Sequence, residues 1–213
     1  MPKGEAYLMD EKQFEKLTEK RLNISTLPSA FEKDDKNHSR YEPTAYSVLE
    51  RLAESGLIDK NDTLIDYGCG KGRVSFYLHY ALGIRTIGVE YSERLYNAAQ
   101  ANLAAYTLRN DPSAPVFILE NAENHIVKDE TCFFFFNPFS EKILKSVLNR
   151  IFDSYYENPR RLRFFFYYPT DSYLALLMTE MRLKSLCDID TSDLFETRSD
   201  SEKIAVFALS DDL

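Results

Sequence analysis

Apolar and polar positions change their period in blocks along this chain. Tyr46, Leu49 and Leu52 recur at helical spacing, with Thr44 where an N-cap would stand and Gly56 where a helix would close. From Thr63 onward the pattern predicts strands alternating with helices. Strands are expected at Thr63–Tyr67, Arg85–Glu90, Val116–Leu119, Thr131–Phe136 and Leu162–Tyr168. Helices are expected at Arg73–Leu82, from a Ser92 cap to about Leu108, at Glu141–Tyr155 and at Ser172–Met181. The run from Thr131 to Phe136 is apolar on both faces, as a central parallel strand requires, and Pro138 stops it. Leu183–Ile189 and Lys203–Leu209 are two final strands with only a polar loop between them. They read as an antiparallel pair, because a parallel crossover needs a long connection and usually a helix.

Upstream, Asp10–Leu22 reads as a polar amphipathic helix with Phe14 and Leu17 on one side. The stretch from 23 to 43 has little periodicity and reads as a loop or lid-like segment. The expected architecture is α/β: an open seven-stranded, mostly parallel sheet with helices on both faces and a C-terminal antiparallel hairpin. It would occupy residues 44–213, after an N-terminal helical extension over residues 1–43.

Composition narrows the function classes. A chain of 213 residues favours one domain, and 44% hydrophobic against 28% charged residues is the balance of a globular protein. The formal net charge of -8 makes it a poor unaided binder of nucleic acid. Arg160, Arg161 and Arg163 read more simply as a solvated turn. Cys69, Cys132 and Cys187 cannot all pair and lack metal-ligand spacing, so free thiols in a reducing, cytoplasmic setting are expected, with no metal. Neither a signal-like apolar stretch nor a membrane-spanning run is present, and no membrane partner is expected.

Glycine is scarce, and three of the seven glycines fall in Gly68-Cys69-Gly70-Lys71-Gly72, directly after the first predicted strand. Ligands of open α/β sheets bind at such strand ends, and glycine lets backbone approach them closely. A phosphate-cradling P-loop needs Ser or Thr after Gly-Lys, but Gly72 follows Lys71. The nicotinamide fingerprint would place its third glycine on Arg73, and Asp66 would face a pyrophosphate unfavourably. An acid there suits a cationic, phosphate-free ligand instead. Glu90, ending the second strand, can accept both hydroxyls of a ribose. Asp66 and Glu90 acting only as strand-end caps is the plainer alternative.

Leu64-Ile65-Asp66-Tyr67-Gly68-Cys69-Gly70-Lys71-Gly72, continued by Gly88-Val89-Glu90, resembles the first motifs of class I S-adenosylmethionine (SAM)-dependent methyltransferases. The resemblance implies a Rossmann-like methyltransferase fold over about residues 44–210 and SAM as cofactor. It implies that Asp66 and the backbone of Gly68, Cys69, Gly70 and Gly72 hold the methionine part, and that Glu90 holds the ribose. Tyr91 would pack on the adenine, with Asn121 and Ala122 beside it. Tyr41 and Thr44 would contact the SAM carboxylate, Thr44 as a plain helix cap being the alternative. Asn137-Pro138-Phe139, after the fourth strand, resembles the Asn/Asp-Pro-Pro-aromatic corner of amine-directed members, with one proline in place of two. It implies that Asn137 and the Pro138 carbonyl aim a target nitrogen and that Phe139 stacks on the group bearing it. Otherwise Pro138 is a strand stop and Phe139 core. Tyr167-Tyr168 ends the next strand on the same side. The function implied is methyl transfer to a nitrogen of a protein side chain, nucleobase or small amine. A SAM-binding module without catalysis, acting as a partner subunit, is the alternative.

Overall fold

Both-face burial decides which segments form the middle of the sheet. The structure, a computed structural model, describes residues 11–28, 41–196 and 199–210. Its strands are β1 (Thr63–Tyr67), β2 (Arg85–Glu90), β3 (Val116–Leu119), β4 (Cys132–Phe135), β5 (Arg163–Tyr167), β6 (Leu183–Asp190) and β7 (Lys203–Leu209). Its helices are α1 (Glu11–Leu22), α2 (Tyr46–Glu54), α3 (Arg73–Leu82), α4 (Glu93–Ala105), α5 (Glu141–Glu157) and α6 (Asp171–Thr179). The sheet order is β3-β2-β1-β4-β5-β7-β6. Pairs are parallel from β3 through β5, and β7 runs antiparallel to both β5 and β6. The expected seven-stranded α/β sheet with its terminal hairpin is thus present. Pattern alone did not show that β7 enters the sheet between β5 and β6.

β1 and β4 are buried at every position. The register aligns Tyr67, Phe135 and Phe166 across β1, β4 and β5. Their rings stack at 5.3 and 4.8 Å. Successive side chains of a strand point to opposite faces, so each phenylalanine run feeds two cores. One core packs under α2 and α3, with Leu49, Leu52, Phe76 and Phe134. The other packs under α5 and α6, with Phe133, Leu148, Phe152 and Leu177. Residues 120–131 carry the chain from β3 to β4 without a helix.

The N-terminal extension departs from its amphipathic reading. Leu17 is 50% exposed, and α1 instead buries Thr18, Glu19 and Leu22. The reason is a guanidinium. Arg73, 3% exposed at the start of α3, donates from Nη1 to Glu15 Oε2 at 2.6 Å and to the Thr44 carbonyl at 3.1 Å. Its Nε donates to Thr26 Oγ1 at 2.7 Å, and the group stands 4.3 Å from the Tyr46 ring centroid. Glu19 accepts the Thr26 amide at 2.7 Å, and Glu15 accepts the Tyr46 amide at 2.8 Å. Glu15 therefore belongs to a packed interface. Thr44 is not the N-cap of α2; that position is Ala45, and no side chain caps it.

Removing one member of a buried charge set leaves the others uncompensated. Arg73→Met is expected to cost about 3–5 kcal/mol in urea unfolding. A loss below about 1 kcal/mol would show that α1 is not held by this charge.

Candidate active site

The sheet reverses direction between β1 and β4: β2 and β3 extend one way from β1, β5 and β7 the other. A crevice forms outside the strand ends at such a point. Here it is a cavity of about 860 Å³, walled by the β1–α3 loop, the ends of β2 to β5, residues 41–44 and Glu202.

Gly68, Gly70 and Gly72 all have positive φ, at 75°, 56° and 89°. The Gly68 and Cys69 amides both donate to the Val89 carbonyl, at 2.8 and 3.2 Å, which ties the loop to β2. A Cβ on Gly68 would lie 2.5 Å from Pro138 Cβ, and one on Gly70 would strike the Tyr41 ring. Gly72 was expected among the cofactor contacts, yet it lies behind the cavity wall. It precedes α3, and a Cβ there would lie 2.5 Å from the Phe117 ring, so its smallness serves packing.

Asp66 is 3% exposed and lines the cavity, and its Oδ2 has no hydrogen-bond partner among the described residues. Burial first, then the neighbouring Glu90 carboxylate, pushes its pKa up to about 8. Glu90 accepts the Gly70 amide through Oε2 at 2.8 Å and the Ser92 amide through Oε1 at 2.7 Å. An ionised carboxylate has about four acceptor sites, so each oxygen keeps one for a hydroxyl. Cys69 lines the same wall, its thiol held protonated by burial and then by Asp66 and Glu90.

Tyr91 stands at the rim, 78% exposed. Asn121 Oδ1 accepts the Glu123 amide at 3.0 Å in an Asx-turn, and Asn121 and Ala122 both line the cavity. Tyr41 lines the cavity with its ring and donates its hydroxyl to the Thr26 carbonyl at 2.9 Å. Thr44 is buried beside it. Residues 29–40 of the expected lid-like segment lie outside the described residues.

At the far end, Asn137 (φ 43°) and Tyr168 (φ 48°) are both left-handed, a conformation uncommon for residues other than glycine. Asn137 Nδ2 donates to the Tyr168 carbonyl at 2.7 Å, and the Thr170 amide donates to Asn137 Oδ1 at 3.4 Å. The carboxamide therefore braces the ends of β4 and β5, and only part of its oxygen's capacity faces the cavity. Phe139 stands edge-on to Tyr67 and Phe135, at 6.5 and 6.3 Å, so it is core and cavity wall together. Of the fourteen site residues the sequence singled out, all but Gly72 line this one cavity. Glu42 and Glu202 line it as well and carry no sequence signal. Glu202 arrives only because β7 pairs antiparallel with β5. Among the described residues, no group of three or more His, Cys, Asp or Glu side chains is placed to hold a metal, and no helix is long and apolar enough to cross a membrane.

Sheet order, loop and crevice together define the class I SAM-dependent methyltransferase fold. Similar solved structures include an RNA methyltransferase from Salinibacter ruber in complex with S-adenosyl-L-homocysteine, with TM-score 0.59 and 15% identity, covering 81% of this chain and 96% of that one. A TehB-like SAM-dependent methyltransferase from Corynebacterium glutamicum has TM-score 0.55 and 17% identity over 76% of this chain and 88% of its own. In sequence, 69 residues are 41% identical to an H3 lysine-79-specific histone-lysine N-methyltransferase of Dictyostelium discoideum, a match spanning 32% of this chain and 4% of that protein. No family model matches the chain.

The Asp66 carboxyl has a direct consequence for stability. Its folded pKa of about 8 lies above the ordinary 3.8. Between those values the native state keeps a proton that the unfolded chain has lost, so this contribution to stability is present at low pH and fades as pH rises toward 8. Asp66→Asn is expected to stabilise the ligand-free protein at pH 8, with the advantage closing by about pH 4 in urea titrations. An advantage independent of pH would contradict the buried, protonated carboxyl.

Proposed function

We propose that this protein is a SAM-dependent methyltransferase whose acceptor atom is a nitrogen. The observation that carries the reading is Asp66 Oδ2, buried, unpartnered and lining a glycine cradle. An uncompensated buried carboxylate calls for a positive group, which the ammonium and sulfonium of SAM supply without any phosphate. Glu90 has acceptor sites left for two ribose hydroxyls, and Tyr91, Asn121 and Ala122 border the place for an adenine. A nicotinamide cofactor fits worse. Arg73, the one guanidinium on the cavity wall among the described residues, is committed to Glu15 and Glu19 and cannot offset a pyrophosphate.

When bound, SAM offers an electrophilic methyl carbon. The chain's part is alignment. The Pro138 carbonyl and the remaining capacity of Asn137 Oδ1 accept hydrogen bonds from the target nitrogen and turn its lone pair toward the methyl. Bound SAM would supply the methyl to that lone pair and leave as S-adenosylhomocysteine, and the methylated nitrogen would give its proton to solvent. Tyr41 and Phe139 exclude water from this line. The engagement of the Asn137 carboxamide by Tyr168 and Thr170 favours a second reading, a SAM-binding subunit without turnover. Labelled methyl from SAM appearing in any acceptor of a cell extract excludes it.

Calorimetry with SAM and S-adenosylhomocysteine in two buffers of different ionisation heat tests the binding step. Both should bind, with release of close to one proton at pH 7 as the cation pulls the Asp66 pKa down. Absence of binding at high micromolar concentrations overturns the reading. Asn137→Ala should lower methyl transfer on the order of 100-fold while SAM affinity stays within about threefold. Collapse of SAM binding in this variant would remove the role assigned to it.

A further inference from the structure

Among the described residues, five carboxylates and a single guanidinium line the cavity. The proposed donor accounts for only part of this imbalance, through Asp66 and Glu90. Glu120 stands 3.1 Å from His125 Nδ1, which leaves Glu42 and Glu202. Glu202 directly precedes β7, and β7 sets Ile204 opposite Tyr167 of β5. It therefore stands beside the end of β5, where its Oε2 accepts the Tyr167 hydroxyl at 3.1 Å. Burial first, then the Glu202, Glu42 and Glu11 carboxylates, push the Tyr167 phenol well above its ordinary range, and of these acids Glu202 and Glu42 line the cavity. The Tyr167 ring packs 4.7 Å from Phe136 and 6.3 Å from Tyr168, and all three rings line the cavity. Among the described residues, neither Glu42 nor Glu202 forms an ion pair.

We propose that this end of the cavity seats a cationic amine of the methyl acceptor, carried on a nitrogen separate from the one that is methylated, so that the substrate class is an aliphatic di- or polyamine. Carboxylates stabilise an amine's protonated form and would silence the lone pair that must attack the methyl. At the Asn137–Pro138 corner the acceptors are neutral, which suits an uncharged attacking nitrogen. Glu42 and Glu202, backed by aromatic faces, suit a charged one through charge-assisted hydrogen bonds and cation–π contact. The proposal rests on the methyltransferase reading and extends it to the acceptor.

The test titrates cadaverine, 1,5-pentanediol and glutarate into the full chain, with and without S-adenosylhomocysteine, by calorimetry. Cadaverine should bind, and the neutral and anionic analogues of the same length should not. Glu202→Gln, which keeps an acceptor for the Tyr167 hydroxyl, should weaken cadaverine roughly tenfold while the affinity for S-adenosylhomocysteine stays within about threefold. Glu42→Gln should weaken cadaverine in the same direction. The proposal is overturned if the diol binds as tightly as the diamine, if cadaverine does not bind at about 10 mM, or if Glu202→Gln changes nothing. Failure of S-adenosylhomocysteine to bind strikes the methyltransferase reading alone, since the titrations without it still report on the amine seat.

Discussion

Asp66 is a carboxyl group kept from water and, at Oδ2, from every donor among the described residues. Buried polar groups are almost always hydrogen-bonded, so this oxygen keeps capacity for a donor that enters the cavity. Its surroundings depend on the same constraint. The carboxyl ends a strand buried at every position, its neighbour Glu90 raises its proton affinity, and the glycines after it leave room on the cavity side.

The wall around that group is held from behind by a different charge. Arg73 gathers Glu15, Thr26, Thr44 and Tyr46 into one polar contact, joining α1 and the 41–44 segment to the first turn of α3. Tyr41 is positioned against Gly70 by this assembly, its hydroxyl on the Thr26 carbonyl. The guanidinium thus acts on the cavity through the segments it anchors. At the opposite end the Asn137 carboxamide plays a comparable part, linking the ends of β4 and β5 where two residues hold left-handed backbone. The cavity is lined by the buried Asp66 after β1, by the Asn137–Pro138 corner after β4, and by Glu42 and Glu202.

Much of this was legible in the order of residues, because it rests on local rules. Strands buried on both faces must be apolar throughout, so Cys132–Phe135 announces a central strand, and glycines after an acid announce a close approach at the end of β1. The α/β alternation, the terminal hairpin and the glycine loop with Asp66 and Glu90 followed from such signals, while the Asn137 corner was singled out by its resemblance to a family motif. Where pattern misled, a distant partner had overridden it. Leu17 lies outward because Arg73, far along the chain, makes the polar side of α1 the inner one. Gly72 belongs to the loop by spacing but to the Phe117 contact by geometry.

Tertiary structure alone decided what converges. The place of β7 between β5 and β6 depends on pairing between strands with no adjacent sequence, and it carries Glu202 to the cavity from a loop without a motif. The commitment of Asn137 to Tyr168 and Thr170, and the absence of a partner for Asp66 Oδ2, are likewise properties of chain segments brought together. The sequence by itself determined the sheet and the glycine loop with Asp66 and Glu90, because periodicity and glycine act within a few residues. The end lined by Glu202 had to wait for the fold, because its charge and shape come from side chains whose proximity no local spacing encodes.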